Sequence, residues 1–132
     1  MVDYNKKVLK HFFHPKNQGE LKNPDGIGKV GNPKCGDVLV LQIKVGTRKG
    51  KEYIKDIKFK TLGCAAAIST SSVLTELAKG KSIEQAEKIS DKDIVNKLGG
   101  LPEIKYHCSL LGTDALKLAI KDYKKNKEKK HE

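Results

Sequence analysis

Three cysteines, Cys35, Cys64 and Cys108, stand far apart in this chain, each at a boundary between predicted elements. Cysteines that serve only as small core residues belong inside elements, on an apolar stripe; boundary positions favour an exposed, reactive thiol. Cys35 lies in a Pro-Lys-Cys-Gly-Asp turn ahead of a long β pattern, Cys64 between a β pattern and an Ala-rich helical pattern, and Cys108 directly after His107 where the last helix begins. At a helix N-terminus the peptide dipoles favour thiolate over thiol, and thiolate is the form that binds metal and attacks sulfur. Gly36 and Gly63 leave room beside the first two sulfurs. Asp37 is two residues from Cys35, so both side chains point to one side of an extended chain. His107 adds an imidazole nitrogen beside Cys108.

The candidate ligands are therefore Cys35, Asp37, Cys64, His107 and Cys108. Three thiolates select a soft centre, meaning iron–sulfur or zinc. No C-x-x-C pair is present, unlike the knuckles of structural zinc modules. Ligands drawn from three separate loops suit a site built on an already folded domain, with metal that can leave. Taken singly, each residue has a blander reading: a buried cysteine, a turn acid, a helix-capping histidine. His11 and His14 read as structural, at the end of the first helix, and His131 as incidental.

The elements that must hold these residues follow from periodicity. Tyr4, Val8, Leu9, Phe12 and Phe13 recur at helical spacing over residues 3–13, and Pro15 stops that helix. The Gly/Pro/Asn-rich stretch over 17–33 reads as loop, with a short strand near Ile27–Val30. Residues 37–45 alternate as a strand, Gly46–Gly50 is a turn, and 53–62 is a second half-buried strand. A helix over 65–79 ends at Gly80. Ser82 and Ser90 cap two short helices, the second ended by Gly99 and Gly100. The last helix runs over 107–124. The order predicts an α+β fold with helices covering one face of a small sheet. It also predicts a single domain over 1–125 and a charged, disordered tail over 126–132.

The chain has 132 residues, 27 Lys+Arg against 16 Asp+Glu and a formal charge of +11. That length suits one domain. No apolar run approaches the roughly 20 residues of a membrane span, and the N-terminus lacks the apolar core of a signal peptide, so membrane partners and export are not expected. An odd number of distant cysteines excludes a disulfide-stapled scaffold and points to a reducing, cytoplasmic compartment. Arg48 is the one arginine and aromatics are 5%, so neither bidentate phosphate reading nor base stacking is provided for, and no nucleic-acid partner is expected. The positive excess instead suits an acidic protein partner. A Cys–His nucleophilic enzyme is disfavoured, because adjacent His107 and Cys108 splay about 100° apart on a helix.

Four segments carry a family resemblance: His14-Pro-Lys-Asn-Gln-Gly19, Val30-Gly-Asn-Pro-Lys-Cys-Gly-Asp-Val38, Thr61-Leu-Gly-Cys-Ala-Ala-Ala-Ile-Ser-Thr-Ser-Ser72 and Lys105-Tyr-His-Cys-Ser-Leu-Leu-Gly112. With them the chain resembles the IscU/NifU N-terminal family of iron–sulfur cluster assembly scaffolds, over all but its Lys-rich tail. The resemblance implies a three-stranded antiparallel sheet with helices on one face, a long C-terminal helix, and a cluster site at one end. It implies a scaffold and not an enzyme. Cys35, Cys64 and Cys108 match the family's three cysteines, Asp37 the acid that keeps the cluster transferable, and His107 the histidine beside the third cysteine. The implied cargo is a [2Fe–2S] cluster, with [4Fe–4S] as the larger form, built from iron and sulfur; zinc is the implied occupant of the cluster-free form. The implied partners are a cysteine desulfurase, with Cys108 as persulfide acceptor, apo iron–sulfur proteins, a ferredoxin as reductant and a second copy in a homodimer. The family's Hsp70-type chaperone recognises a Leu-Pro-Pro-Val-Lys segment; Leu101-Pro102-Glu103-Ile104-Lys105 departs from it, and loss of the second proline removes extended bias. Use of that chaperone is therefore not expected. The rival reading is a zinc-binding sulfur acceptor of the related SufU type, using the same ligands.

Overall fold

Helix α1 (Lys6–Phe13) starts where the side chain of Asn5 accepts a hydrogen bond from Val8 N at 2.9 Å. The Asn5 amide also donates to Leu98 O at 2.9 Å, which ties the start of the helix to a distant part of the chain. The computed structural model describes residues 4–32, 37–101 and 106–130, side chains at 32, 37, 106–109 and 128–130 excepted. The sheet is antiparallel in the order β1 (Gly26–Asn32), β2 (Asp37–Arg48), β3 (Lys51–Leu62). After it come α2 (Ala65–Ala78), α3 (Ile83–Glu87), α4 (Asp91–Lys97) and α5 (Tyr106–Lys130). This is the expected α+β arrangement of a small antiparallel sheet, helices on one face and a long last helix.

Alternation decides which face of the sheet is covered. Leu39, Leu41 and Ile43 of β2 and Ile57 and Phe59 of β3 are buried, and they pack with Ala66, Val73 and Leu74 of α2 and Ala115, Leu116 and Ala119 of α5. Val38, Val40, Lys29, Lys60 and Leu62 lie on the other side. Segment 14–25 crosses part of that outer face. Gly19 N donates to Phe59 O and Phe59 N to Asn17 O, Leu21 N reaches the side chain of Gln42, and Lys44 Nζ reaches Asn23 O.

The strands are longer than their sequence pattern suggests. β2 and β3 run on to a two-residue turn, Lys49-Gly50, where both residues have positive φ (52° and 78°), the twist that suits a tight hairpin. β1 runs from Gly26 to Asn32, past both ends of the short strand expected near Ile27–Val30, and holds Gly26 and Gly28. The reason is α5. A Cβ on Gly28 would lie 2.0 Å from Ala115 O, and one on Gly26 would lie 2.2 Å from Ala119 O. Only glycine allows the helix backbone to sit this close to the strand.

The largest difference from expectation is at the end of α5. The helix runs to Lys130, past the 107–124 expected for it; residues 131–132 lie outside the described part. Lys and Glu are good helix formers, and side chains here hold the helix to the body: Asn126 donates to Asp25 O, and Lys127 pairs with Glu52 at 3.0 Å. Among the described residues no helix is long and apolar enough to cross a membrane.

Candidate functional site

The sheet register sets the backbone on either side of Asp37 and Cys64 at one end of the sheet. Asp37 opens β2 opposite Asn32, the last residue of β1, so Cys35 falls in the short connection between them. Cys35 itself lies outside the described residues. Next to Asp37, Val38 pairs with Leu62, the last residue of β3. Two residues later Cys64 is the N-cap of α2, with extended backbone (φ −77°, ψ 176°), and it is half-buried. Its carbonyl accepts from Ile68 N at 3.1 Å, the first turn of the helix. Asp37 and Cys64 are therefore carried to the same end of the sheet.

Helix α5 brings the third segment there. It runs antiparallel to β1: Gly26 faces Ala119 and Tyr123, while Gly28 faces Ala115 and Ala119. From Gly28 to Asn32 the strand rises about 13 Å, at roughly 3.3 Å per residue. Along a helix that distance is about nine residues, at roughly 1.5 Å each. The first turn of α5, which holds His107 and Cys108, thus comes level with Asn32 and Asp37. The side chains of Asp37, His107 and Cys108 lie outside the described part, so their ligand roles rest on backbone placement.

The positive ends of two helix dipoles lie at these helix starts. Neither α2 nor α5 carries an acidic residue in its first turn, so nothing there opposes the positive end of the dipole. Among the described residues no group of three or more His, Cys, Asp or Glu side chains forms a metal-holding cluster. His11, read as structural, is so: its Nδ1 lies 2.8 Å from Ser72 Oγ on α2. Burial lowers its pKa, opposed by Glu76, with Lys10, Lys16 and Lys97 lowering it further. The segment Leu101–Lys105 leads into α5; Leu101 is buried, and residues 102–105 lie outside the described part.

Two sets of positioning residues were not singled out from sequence. Gly26 and Gly28 set the distance of α5 from β1, and a Gly-x-Gly pair inside an alternating pattern is the signal that points to them. Ser69, Ser72 and Thr75 form a buried hydroxyl row on α2. Ser69 donates to Val8 O at 2.7 Å, Ser72 accepts from Lys16 N at 2.8 Å, and Thr75 accepts from the Asn17 amide at 3.1 Å. Their spacing of three residues marks one helix face.

Comparison with known proteins agrees with this fold. A family model described as NifU-like N terminal domain matches residues 3–130. The iron–sulfur cluster assembly scaffold protein IscU 1 of Archaeoglobus fulgidus is 53% identical over 120 residues, 91% of this chain and 76% of that protein. The protein of the same description, IscU, from Rickettsia prowazekii is 51% identical over 130 residues, 96% of each chain. A crystal structure of a putative iron–sulfur cluster assembly scaffold protein for the SUF system from Fervidobacterium islandicum shares the fold. Its TM-score is 0.70 at 22% identity, covering 89% of this chain and 96% of that one.

Proposed function

The chain belongs to the NifU-like N-terminal domain family, and from that premise we propose that it is a scaffold on which an iron–sulfur cluster is assembled and then passed to apo-proteins. It is not a turnover enzyme. The cluster is cargo, and the chain's task is to hold it firmly enough to form and loosely enough to leave. The observation that carries the reading is the convergence at one sheet end of Asp37, Cys64 and the first turn of α5, with Cys35 in the intervening connection.

We assign Cys35, Cys64 and Cys108 as the thiolate ligands, with the Asp37 oxygen and the His107 nitrogen as alternative, exchangeable ligands at the fourth position of a [2Fe–2S] unit. A carboxylate is a harder and weaker partner for iron–sulfur than a thiolate, which suits a cluster that must be released. A permanent electron carrier uses four thiolates. Sulfur arrives as persulfide from a cysteine desulfurase, with Cys108 as acceptor. Each persulfide sulfur takes up two electrons to become bridging sulfide, supplied by iron(II) and by a ferredoxin. Zinc fills the same ligands when no cluster is bound. The setting is the cytoplasm, where the glutathione and thioredoxin systems keep thiols reduced.

Anaerobic reconstitution with iron and sulfide tests the reading. The expected product is brown, with the Mössbauer signature of a [2Fe–2S] centre. A colourless protein that retains only zinc under those conditions would overturn it. Replacing Cys35, Cys64 or Cys108 by Ser is expected to abolish the stable cluster and leave the far-ultraviolet circular dichroism unchanged. Normal clusters in all three variants would remove the ligand assignment.

A further inference from the structure

The two glycines that seat α5 fix its distance from β1 but not its height along the strand. Gly26 and Gly28 have no Cβ, and what they face on α5 is chiefly backbone at Ala115 and Ala119. A contact without side-chain ridges has little to interlock, so it does not by itself stop the helix from sliding. Leu116 and Ile120 bind the helix to the core, yet apolar contact is non-directional. Directional contacts lie one turn apart near the far end of the helix. Ile27 N donates to Asp122 Oδ2 at 2.9 Å, and the Asn126 amide donates to Asp25 O and to Asp122 Oδ2, each at 3.4 Å. The strand side is itself held: Asp25 N donates to Ile43 O and Val45 N to Asp25 Oδ2, both at 2.8 Å. Asp122 is close in sequence to Lys121, Lys124 and Lys125. Among the described residues it makes no ion pair, and its carboxylate goes instead to the sheet edge.

We propose that Asp122 and Asn126 are positioning residues: they set the height of α5 on the sheet and, through the helix, the place of His107 and Cys108. The helix is continuous from Tyr106 to Lys130. Cys108 precedes Asp122 by 14 residues, about 21 Å along the axis at roughly 1.5 Å per residue. A helix is stiff along its axis, so a displacement at Asp122 reappears at Cys108. Slipping by one residue moves the helix roughly 1.5 Å and turns it about 100°. Ligand distances at a metal centre tolerate only about 0.2 Å, so such a slip takes a thiolate out of reach. The two side chains thus govern the site from the opposite end of α5. The consequence for the cluster rests on the ligand assignment above; the lock on α5 does not. A plainer role for Asp122, covering a bare N–H on an edge strand, would change stability without moving Cys108.

The test uses the full chain, reduced and free of metal, and its own thiols. Dibromobimane joins two neighbouring thiols, monobromobimane labels one, and mass spectrometry maps the products. The wild-type chain is expected to give bridges from Cys108 to Cys35 or Cys64. In Asp122→Ala, bridging at Cys108, relative to its single labelling, is expected to fall at least fivefold, with the Cys35–Cys64 bridge unchanged. Asp122→Asn keeps an oxygen acceptor and is expected to stay within twofold of wild type. Lys127→Ala removes the ion pair to Glu52, spares both locking residues, and is expected to match wild type. Asn126→Ala, expected to lose at least twofold, carries the test if Asp122→Ala does not fold. Wild-type bridging in Asp122→Ala and Asn126→Ala, or an equal fall in Lys127→Ala, would overturn the lock. Absence of any Cys108 bridge in the wild-type chain would overturn both the lock and the shared site. Reconstitution with iron and sulfide is read separately, with the Asp122→Ala cluster expected to pass to a chelator at least fivefold faster. The expected bridging in a chain that takes up no cluster would uphold the lock and overturn the scaffold.

Discussion

Helix α2 is capped by Cys64 and helix α5 carries Cys108 in its first turn, and the two helices are positioned by opposite means. In α2 burial is almost all round: ten of its 14 residues are buried, among them Ser69, Thr70, Ser71, Ser72 and Thr75. Such a helix cannot be oriented by amphipathicity, so its hydroxyls do that work by hydrogen bonding to α1 and to the segment that follows it. In α5 one stripe is buried, with Leu110 and Leu118 about half exposed on the other side. Its orientation comes from backbone contact with Gly26 and Gly28. The two helix starts are therefore held by directional hydrogen bonds in one case and by bare steric access in the other.

Steric access is the harsher requirement, so the largest effect is expected there. Gly28→Val puts side-chain carbon where Ala115 O stands at 2.0 Å and forces α5 off the sheet. The expected cost is more than about 3 kcal/mol, on the scale of severe overpacking, and urea denaturation measures it. A loss below about 1 kcal/mol would mean that α5 is not seated by this contact.

A smaller effect is expected from Ser72→Ala. It removes the acceptor of Lys16 N and the partner of His11 Nδ1 in one step. Leaving part-buried polar groups unpaired costs about 1–3 kcal/mol. The readout that separates it from the glycine variant is local: amide exchange is expected to speed up in α1 and spare α5. Uniform acceleration across both helices would erase the distinction.

Acidification sharpens the same comparison with the smallest change. Burial lowers the His11 pKa below its ordinary value of about 6.5, with Glu76 opposing and Lys10, Lys16 and Lys97 assisting. Below that ordinary value the unfolded chain binds the proton more readily than the folded one, so this contribution is present at pH 7 and is lost as pH falls through the folded pKa. The stability of α1 docking is expected to decline as pH falls from about 7 to about 5, followed by amide exchange. The decline is expected to disappear in His11→Phe. A decline unchanged in that variant would assign it to other groups.

How far the sequence reaches can be judged on the same residues. Alternation at Leu39, Leu41 and Ile43, the caps at Ser82 and Ser90, and the glycine stops at Gly99 and Gly100 were legible because each is a local signal. β1 was legible only near Ile27–Val30 and its ends were not, and the purpose of Gly26 and Gly28 appears only when a helix some 90 positions away lies against them. The end of α5 was under-read because a lysine-rich segment resembles a solvated tail until Asn126 and Lys127 find partners on other elements. At the candidate site the residue types and their boundary positions were legible. Their meeting at one sheet end was not, since it follows from register and from the direction of α5. The ligand roles themselves remain a proposal tied to the cysteine variants.

The contact between β1 and α5 also has a consequence for the order in which the molecule is made. It joins residues 26–28 to residues 115–123, and a closure of that span comes at the cost of chain entropy before it gains anything in packing. During synthesis Cys35 and Cys64 emerge well before the helix that carries Cys108 has a strand-facing stripe to close with. The nascent chain consequently holds two thiols and no complete pocket. On the proposed ligand assignment, its capacity for metal arises in one late step, when the last helix lands on two glycines, so that folding itself acts as the gate on when cargo can first be accepted.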